Sequence, residues 1–295
     1  MWFIYSCAAM LLLVTRRSTE KTLTDKIPSS ALAWLQQLTA LPFMATMLLF
    51  ADWYNPFSLG AQFLLLLALY AFVAAIDLIL YYKAISVGDI SLVAPLLNLS
   101  SVTGIMTSFL ILHQNPTIFG VSGALFIVLG AYFVMKHRSK NHSKASNNAL
   151  AISLVLFLTI IRGFYSPIEV TLLQITNPIY LNFFSSLLTV PTILLIILIR
   201  TKNKSQSPFN KKLRATLRRH KLALAFIGFT MAINIFFTLT AKTTAPNAGY
   251  VTAIKGAQVV PMTFVGVLFF KEHVTKRQWA GIALIFTGLL SFMFS

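Results

Sequence analysis

The chain has 295 residues, of which 57% are hydrophobic and only 11% are charged. Soluble globular domains carry about 25% charged residues, so these side chains cannot cover a surface that faces water, and the surrounding solvent must largely be lipid. In a soluble protein the net charge of +17 would indicate nucleic-acid binding. Most cations here lie between long apolar runs, where Lys and Arg set membrane orientation, so nucleic acid is excluded as a partner. The single cysteine, Cys7, excludes a disulfide within the chain.

Apolar segments follow one another along the whole sequence. A helix that spans a bilayer needs about 20 mostly apolar residues. Ten segments meet this criterion, and we predict spanning helices at 2–22, 30–51, 59–82, 90–112, 117–135, 149–173, 178–199, 222–241, 248–270 and 278–294. Most connections are short, which predicts antiparallel neighbours. Two connections, 135–148 and 200–221, are longer, polar and basic, and 207–221 has the pattern of a short amphipathic surface helix.

The sequence contains two copies of one pattern. Residues 18–42 align without gaps with 167–191 at an offset of 149, and 112–132 align with 270–290 at an offset of 158. The identical residues that this alignment pairs include Glu20 with Glu169, Pro42 with Pro191, Thr117 with Thr275, Gly123 with Gly281, and Gly130 with Gly288. We place the first repeat at 1–144 and the second at 145–295.

Each repeat holds five predicted helices, and because five is odd the second repeat enters the membrane in the opposite orientation. Inverted repeats recur in secondary transporters, where they form two interchangeable gates around a central site. The predicted fold class is therefore an all-α membrane protein with about ten transmembrane helices in two inverted five-helix repeats. The alternative is that a duplicated bundle is only a stable way to build a membrane protein.

Basic residues are distributed unevenly between the loops. When each loop is numbered by the helix it follows, 19 Lys and Arg residues belong to odd loops and one, Lys242, to an even loop. The positive-inside rule then predicts that the basic loops 135–148 and 200–221 are cytoplasmic and that both termini are external. We expect a multi-pass protein of the bacterial inner membrane.

Two stretches, 81–112 and 249–290, resemble the paired repeats of the EamA type within the drug/metabolite transporter superfamily. The most specific part is the apolar run that ends in FFKE at 269–272, followed by a short turn and two glycines seven residues apart. The resemblance covers nearly the whole chain. It implies ten helices, a central cavity lined by both halves, and export or exchange of amino acids, sugars, nucleotide sugars, phosphorylated metabolites or drugs. Two departures are Gln114, which takes the place of Glu272, and the external termini, which in this family are usually cytoplasmic.

Ionisable side chains inside the predicted helices are candidates for function, because each costs about 2.5–3.5 kcal/mol at a helix centre on insertion scales. Seven side chains qualify: Arg16, Arg17, Glu20, Asp77, Arg162, Glu169 and Lys255. Arg16 and Arg17 precede Glu20 by four and three residues, so one helix face can hold an ion pair. The alternative for the arginines is that they extend to the cytoplasmic interface.

Three carboxylates are candidates for proton coupling: Asp77, Glu169 and Glu20. The two glutamates are repeat-equivalent and suit a proton or cation relay, or they form a structural pair neutralised by Arg16 and Arg162. Asp77 lies deep in the third helix, where an isolated carboxylate is typical of a functional site. The alternative for Asp77 is a hydrogen bond to a neighbouring helix.

Lys255 lies deep in the ninth helix, and its repeat counterpart is the apolar Leu97, so symmetry gives the charge no structural explanation. A lysine in a cavity can bind a carboxylate or phosphate. The predicted substrate-binding residues are Lys255, Arg16, Arg162, Asn98, Asn234 and Gln258.

These observations favour a secondary active transporter, an exporter or exchanger of a small polar metabolite that is anionic or zwitterionic, working by alternating access. Its partners would be this solute, the lipid bilayer and protons as the coupling ion, and the protein would be a monomer or homodimer. The alternatives are a flippase for a lipid-linked polar headgroup, a drug exporter, and a scaffold or enzyme subunit that does not transport. The sequence has no glycine-rich phosphate loop and no pairing of a nucleophile with a base, so we expect no enzyme activity, cofactor or metal.

Overall fold

The computed structural model describes residues 1–24, 26–51, 55–87, 96–135, 145–201, 216–270 and 275–295. Regular structure in these ranges is helical, with α-helices α1 (Trp2–Thr24), α2 (Ser29–Met47), α3 (Ala61–Val87), α4 (Ser100–Leu112), α5 (Ile118–Met135), α6 (Ala145–Leu173), α7 (Pro178–Thr201), α8 (Lys221–Thr244), α9 (Ala248–Gly256), α10 (Val259–Phe270) and α11 (Lys276–Ser291). Six of the described helices are long and apolar enough to cross a membrane. The predicted all-α membrane class is confirmed. Most of both basic loops, most of the predicted surface helix at 207–221, and Glu272 lie outside the described residues.

The ninth predicted span, 248–270, is wrong as a single helix, because the chain forms α9 and α10 with a break at Ala257 and Gln258. At the break, the amides of these two residues donate to carbonyls three residues back, at 3.0 and 3.2 Å. Pro261 lacks the N–H that would otherwise reach the carbonyl of Ala257, and the amide of Val260 bonds that carbonyl instead. An apolar sequence run therefore does not guarantee an unbroken helix.

The fourth span has a break at an equivalent place. Residues 98 and 99 form a turn before α4 begins at Ser100. At the offset of 158, Asn98 corresponds to Gly256, the last residue of α9. The two breaks touch, because the side-chain amide of Asn98 donates to the carbonyl of Gly256 at 3.3 Å. Broken helices are characteristic of transporter sites, where the freed backbone groups line a cavity.

Helices of one half pack mainly against helices of the other. The helix α1 packs against α8, and their repeat equivalents α6 and α3 also pack together. Likewise α4 packs against α6 and α9 against α1, while α5 packs against α11. Every one of these contacts has a counterpart when the two halves are exchanged. The packing therefore follows a pseudo-two-fold axis, as the inverted repeat predicts. The repeat boundary at residue 144 stays a prediction.

The contact between α5 and α11 gives the clearest sign of this symmetry. A Cβ atom added to Gly123 would lie 2.8 Å from the carbonyl oxygen of Gly288, and one added to Gly281 would lie 2.7 Å from that of Gly130. Each glycine of one helix thus faces the non-equivalent glycine of the other, which is the reciprocal pattern of a two-fold contact. Small residues let the helix backbones approach closely, as in many membrane bundles.

Candidate functional site

A cavity of about 260 Å³ lies between the two halves. It is lined by α1, α2, α3, α6, α8 and α9 and by both helix breaks. The nine site residues predicted from the sequence all line it: Lys255, Arg16, Arg162, Asn234, Gln258, Asn98, Asp77, Glu169 and Glu20. Two further cations, Arg17 and Lys242, complete the charged wall. Residues scattered over most of the chain thus meet around one space.

Asp77 of α3 and Arg162 of α6 form a bidentate ion pair. The guanidinium Nε donates to Asp77 Oδ1 at 2.7 Å, and Nη2 donates to Oδ2 at 3.1 Å. Such paired, charge-assisted hydrogen bonds are among the strongest in proteins. Asp77 is therefore not an isolated carboxylate, and the structure shows the alternative, a hydrogen bond to a neighbouring helix. The alternative pairing of Arg162 with Glu169 is wrong for the same reason, since this guanidinium is held by Asp77.

Glu169 is held instead by Lys242, which lies in a loop according to the predicted helix bounds. Lys242 lies inside α8 and only 4% of it is exposed. Its ammonium donates to Glu169 Oε2 and, at 3.2 Å, to the hydroxyl of Ser166. The hydroxyl of Tyr70 donates to Glu169 Oε1 at 2.7 Å. This cluster therefore joins α3, α6 and α8.

The loop assignment of Lys242 is wrong because α8 continues beyond the predicted end at 241, to Thr244. No helix-breaking residue occurs there before Pro246. A signal was present in the sequence, since Asn234, Thr238 and Lys242 are spaced four apart and so share one face of a helix. That polar stripe, in an otherwise apolar segment, faces the cavity.

Glu20 pairs within its own helix, as its spacing predicted. The Nε atom of Arg16 lies 3.2 Å from Glu20 Oε1. Among the described residues, neither of these two buried atoms has a hydrogen-bond partner. Within the same part of the chain, each of the three cavity carboxylates has one cationic partner.

Two cavity cations remain without a carboxylate. Lys255 donates to the hydroxyl of Thr238 at 3.0 Å, and the guanidinium of Arg17 lies 5.4 Å from the ring centre of Tyr81. Within the part of the chain that the structure describes, neither cation forms an ion pair, and the buried Nε of Arg17 has no hydrogen-bond partner. With five cations and three carboxylates in its wall, the cavity carries two formal positive charges in excess.

The three predicted amides have different surroundings. Asn98 donates to the carbonyl of Gly256, and Asn234 donates to the backbone carbonyl of Ala9 in α1. Gln258 sits at the break of the ninth span, and its buried side-chain oxygen has no hydrogen-bond partner among the described residues. Gln258 is thus the amide with the most capacity left for a ligand.

Comparisons with known proteins agree with this architecture. A sequence model of the EamA-like transporter family matches residues 1–136 and 149–294. None of the curated proteins is a significant match. One solved crystal structure, titled only as that of a protein, has a TM-score of 0.74 over 98% of this chain and 95% of its own, at 14% identity, which shows a shared fold. Because the family model matches both repeats almost completely, the chain belongs to the EamA-like transporter family, whose members are membrane transporters of small molecules.

Proposed function

We propose that the protein is a secondary active transporter that moves a small anionic or zwitterionic metabolite across the membrane by alternating access. The observation that carries this proposal is the pair of cavity cations without carboxylates, Arg17 and Lys255. A buried charge without a partner costs several kcal/mol. An anionic solute supplies the missing partner, so it binds where a cation would be repelled.

The charges favour an anion over a zwitterion. A zwitterion needs a carboxylate in the site to hold its ammonium group. All three cavity carboxylates are already paired with Arg16, Arg162 and Lys242. The ammonium of a zwitterionic solute would therefore have to displace one of these cations, whereas an anion displaces nothing.

The cavity volume favours a metabolite over a drug. Pockets for drug-sized ligands measure about 300–1,000 Å³, and this cavity, at about 260 Å³, lies below that range. A cationic drug would also meet the excess positive charge. A lipid-linked headgroup has the right polarity, and the ligand screen below separates it from a free solute.

The same ion pairs favour exchange over proton coupling. A proton taken up by Asp77, Glu20 or Glu169 would neutralise that carboxylate and leave its cationic partner alone in a buried site, which is unfavourable. Returning with an empty cavity is unfavourable for a related reason, because Arg17 and Lys255 would stay uncompensated. Exchange avoids both states, because an anion occupies the cavity in each direction.

The two breaks supply the moving parts of the proposed cycle. They lie at repeat-equivalent positions in the fourth and ninth spans and line the cavity from both halves. Lys255 lies two residues before the second break, so movement of α9 against α10 would move the cation that meets the solute. In inverted-repeat transporters, access alternates when corresponding elements of the two halves exchange conformations.

We further propose that the protein lies in a bacterial inner membrane with the basic loops cytoplasmic and the termini external. A single cysteine placed at Ser205, in a Cys7→Ser background, tests the orientation. A membrane-impermeant maleimide should label it only from the cytoplasmic side of oriented vesicles. Labelling from the external side would reverse the topology.

The function is tested first by a ligand screen. We expect anionic metabolites to raise the Tm of the purified protein, and cationic drugs, neutral sugars and lipid-linked headgroups to leave it unchanged. The best ligand is then used in proteoliposomes, where Lys255→Gln should abolish exchange. Lys276→Gln, which removes an exposed lysine of α11, serves as the matched control and should exchange like the unmodified protein. Stabilisation by cationic compounds alone would contradict the proposal.

A further inference from the structure

We infer that the transported solute is a small dianion with its two anionic groups at opposite ends, one bound by Arg17 of α1 and the other by Lys255 of α9. This inference rests on the proposed function and makes it more specific. Its chemical class includes dicarboxylates and carboxylates that carry a phosphate.

Charge balance is the first argument. The cavity wall holds five cations and three carboxylates. A bound monoanion would leave one positive charge of the cavity without compensation, and a neutral or cationic solute would leave two or more. A dianion brings the formal charge of the occupied cavity to zero, so that its attraction to both half-buried cations offsets the cost of desolvating them.

The placement of the two cations is the second argument, because they lie on different helices and contact different walls of the site. Arg17 contacts Tyr81 of α3, and Lys255 contacts Thr238 of α8. Tyr81 and Thr238 lie at comparable depths in α3 and α8, with a slip of one residue from the offset of 158. The helices α3 and α8 are repeat equivalents, so the two cations contact comparable positions in the two halves.

Each unpaired cation lies near an ion pair of the wall, and Arg17 also directly follows Arg16, which is paired with Glu20. Near Tyr81, Arg162 is paired with Asp77 and lies 5.0 Å from the same ring that Arg17 contacts. One helical turn beyond Thr238 in α8, Lys242 is paired with Glu169. The ion pairs fix the two walls, and the unpaired cation at each end is left for the ligand.

Hydrogen-bonding capacity at both ends is the third argument. The buried Nε atom of Arg17 has no partner among the described residues, and a guanidinium suits the bidentate recognition of a carboxylate or phosphate. In the ranges that the structure describes, Lys255 makes one hydrogen bond, to a hydroxyl, and an ammonium has three N–H groups to donate. Both cations can therefore bind an anion without breaking an existing ion pair.

The test measures binding to the purified full-length protein by isothermal titration calorimetry at constant ionic strength. The probes are succinate, glutarate and 3-phosphoglycerate as dianionic or more highly charged ligands, and butyrate as a monoanion of matched length. We expect at least one of the dicarboxylate or phosphorylated probes to bind at one site per chain, on the order of tenfold or more tighter than butyrate, because a second charged contact is added.

Two variants test the two ends separately. Arg17→Gln and Lys255→Gln should each reduce the affinity for that probe to the level of butyrate, and Arg17→Lys should keep most of the preference. Arg277→Gln and Lys276→Gln remove the same charges from α11, away from the cavity, and should bind like the unmodified protein. Neither cavity substitution leaves a carboxylate unpaired, so the Tm without ligand should stay equal or rise.

The outcomes separate this inference from the proposal on which it rests. Three results would overturn the inference that the solute is a dianion and would leave the proposed anion transporter intact. These are butyrate binding as tightly as succinate, two butyrate ions binding per chain, and a preference for dianions that persists in Arg17→Gln. Failure of every anionic probe to bind the unmodified protein would overturn the proposed function itself.

Discussion

The two repeat-equivalent glutamates are stabilised in different ways. Glu20 in the first half is paired with Arg16 of its own helix, α1. Glu169 in the second half is paired with Lys242 of α8 and accepts a hydrogen bond from Tyr70 of α3. The first pair moves with one helix as a unit, whereas the second ties together three helices from both halves.

This difference shows that duplication preserved the position of a charge and not its partner. Arg16 corresponds at the offset of 149 to Tyr165, so α6 has no cation four residues before Glu169, and its Arg162 is paired with Asp77. Glu169 takes its cation from α8 instead. The glycines of α5 and α11 behave differently, because their contacts are reciprocal in both halves. The close contacts between α5 and α11 thus follow the two-fold symmetry, whereas the ion pairs of the two glutamates do not.

The largest expected effect comes from breaking the interhelical pair. Lys242→Met should lower the free energy of unfolding by about 3–5 kcal/mol, because it leaves a buried carboxylate without a cation. Arg16→Met should cost about 1 kcal/mol or less, because Arg17 is also spaced to meet Glu20 on the same helix face. Unfolding titrations in mixed detergent measure both values.

The double variant Lys242→Met/Glu169→Gln provides the control for this comparison. It removes the buried charge as well as its partner, so it should recover most of the lost stability. Equal losses in Lys242→Met and Arg16→Met would show that the two halves hold their glutamates equally tightly, contrary to the structure.

A smaller effect is expected at the symmetric glycines. Gly123→Ala and Gly281→Ala each place a methyl group against the backbone oxygen of the opposing helix, at 2.8 and 2.7 Å. Each should cost about 1–3 kcal/mol, since backbone cannot move aside as a flexible side chain can. The two losses should agree to within about 0.5 kcal/mol if the contact is two-fold symmetric.

Ala280→Leu is the matched control for this pair, because residue 280 neighbours Gly281 and is exposed on α11. It should leave the unfolding curve almost unchanged. A loss at Gly281 several times larger than that at Gly123 would contradict the two-fold contact.

The smallest expected effect is at the meeting of the two breaks. The first half contributes the side chain of Asn98 there, and the second contributes the carbonyl of Gly256. Asn98→Ala should cost about 0.5–1.5 kcal/mol, the usual net contribution of one hydrogen bond. The same unfolding titration measures it, and an unchanged curve would show that this contact does not stabilise the meeting of the breaks.

Hydropathy and internal repetition were enough to predict the fold class, because lipid forces the backbone into helices of fixed minimum length. They could not place the break in the ninth span, since Gly256 and Pro261 are also tolerated inside unbroken membrane helices. The residues that line the cavity could be predicted as well, because every ionisable side chain deep in a membrane helix must face a polar group or a polar space. All nine candidates line it.

The ion pairs between different helices could not be predicted from the sequence. The pair of Arg16 with Glu20 was predictable, because spacing within one helix fixes which side chains meet. The pairs of Arg162 with Asp77 and of Lys242 with Glu169 join residues 85 and 73 positions apart. Their meeting depends on how helices rotate and cross, which is set by packing over the whole bundle.

The exchange of helix partners between the halves has a consequence for assembly. Since α1 packs against α8, α6 against α3 and α5 against α11, the most extensive helix contacts of each described half are made with the other half. The two halves therefore depend on each other in the way that the two subunits of an obligate heterodimer do, although they belong to one chain. The connection between them acts by raising the local concentration of each subunit near the other. Co-expressed fragments that end and begin within 136–144 are therefore expected to associate into the complete bundle, whereas either fragment made alone has no partner to cover it.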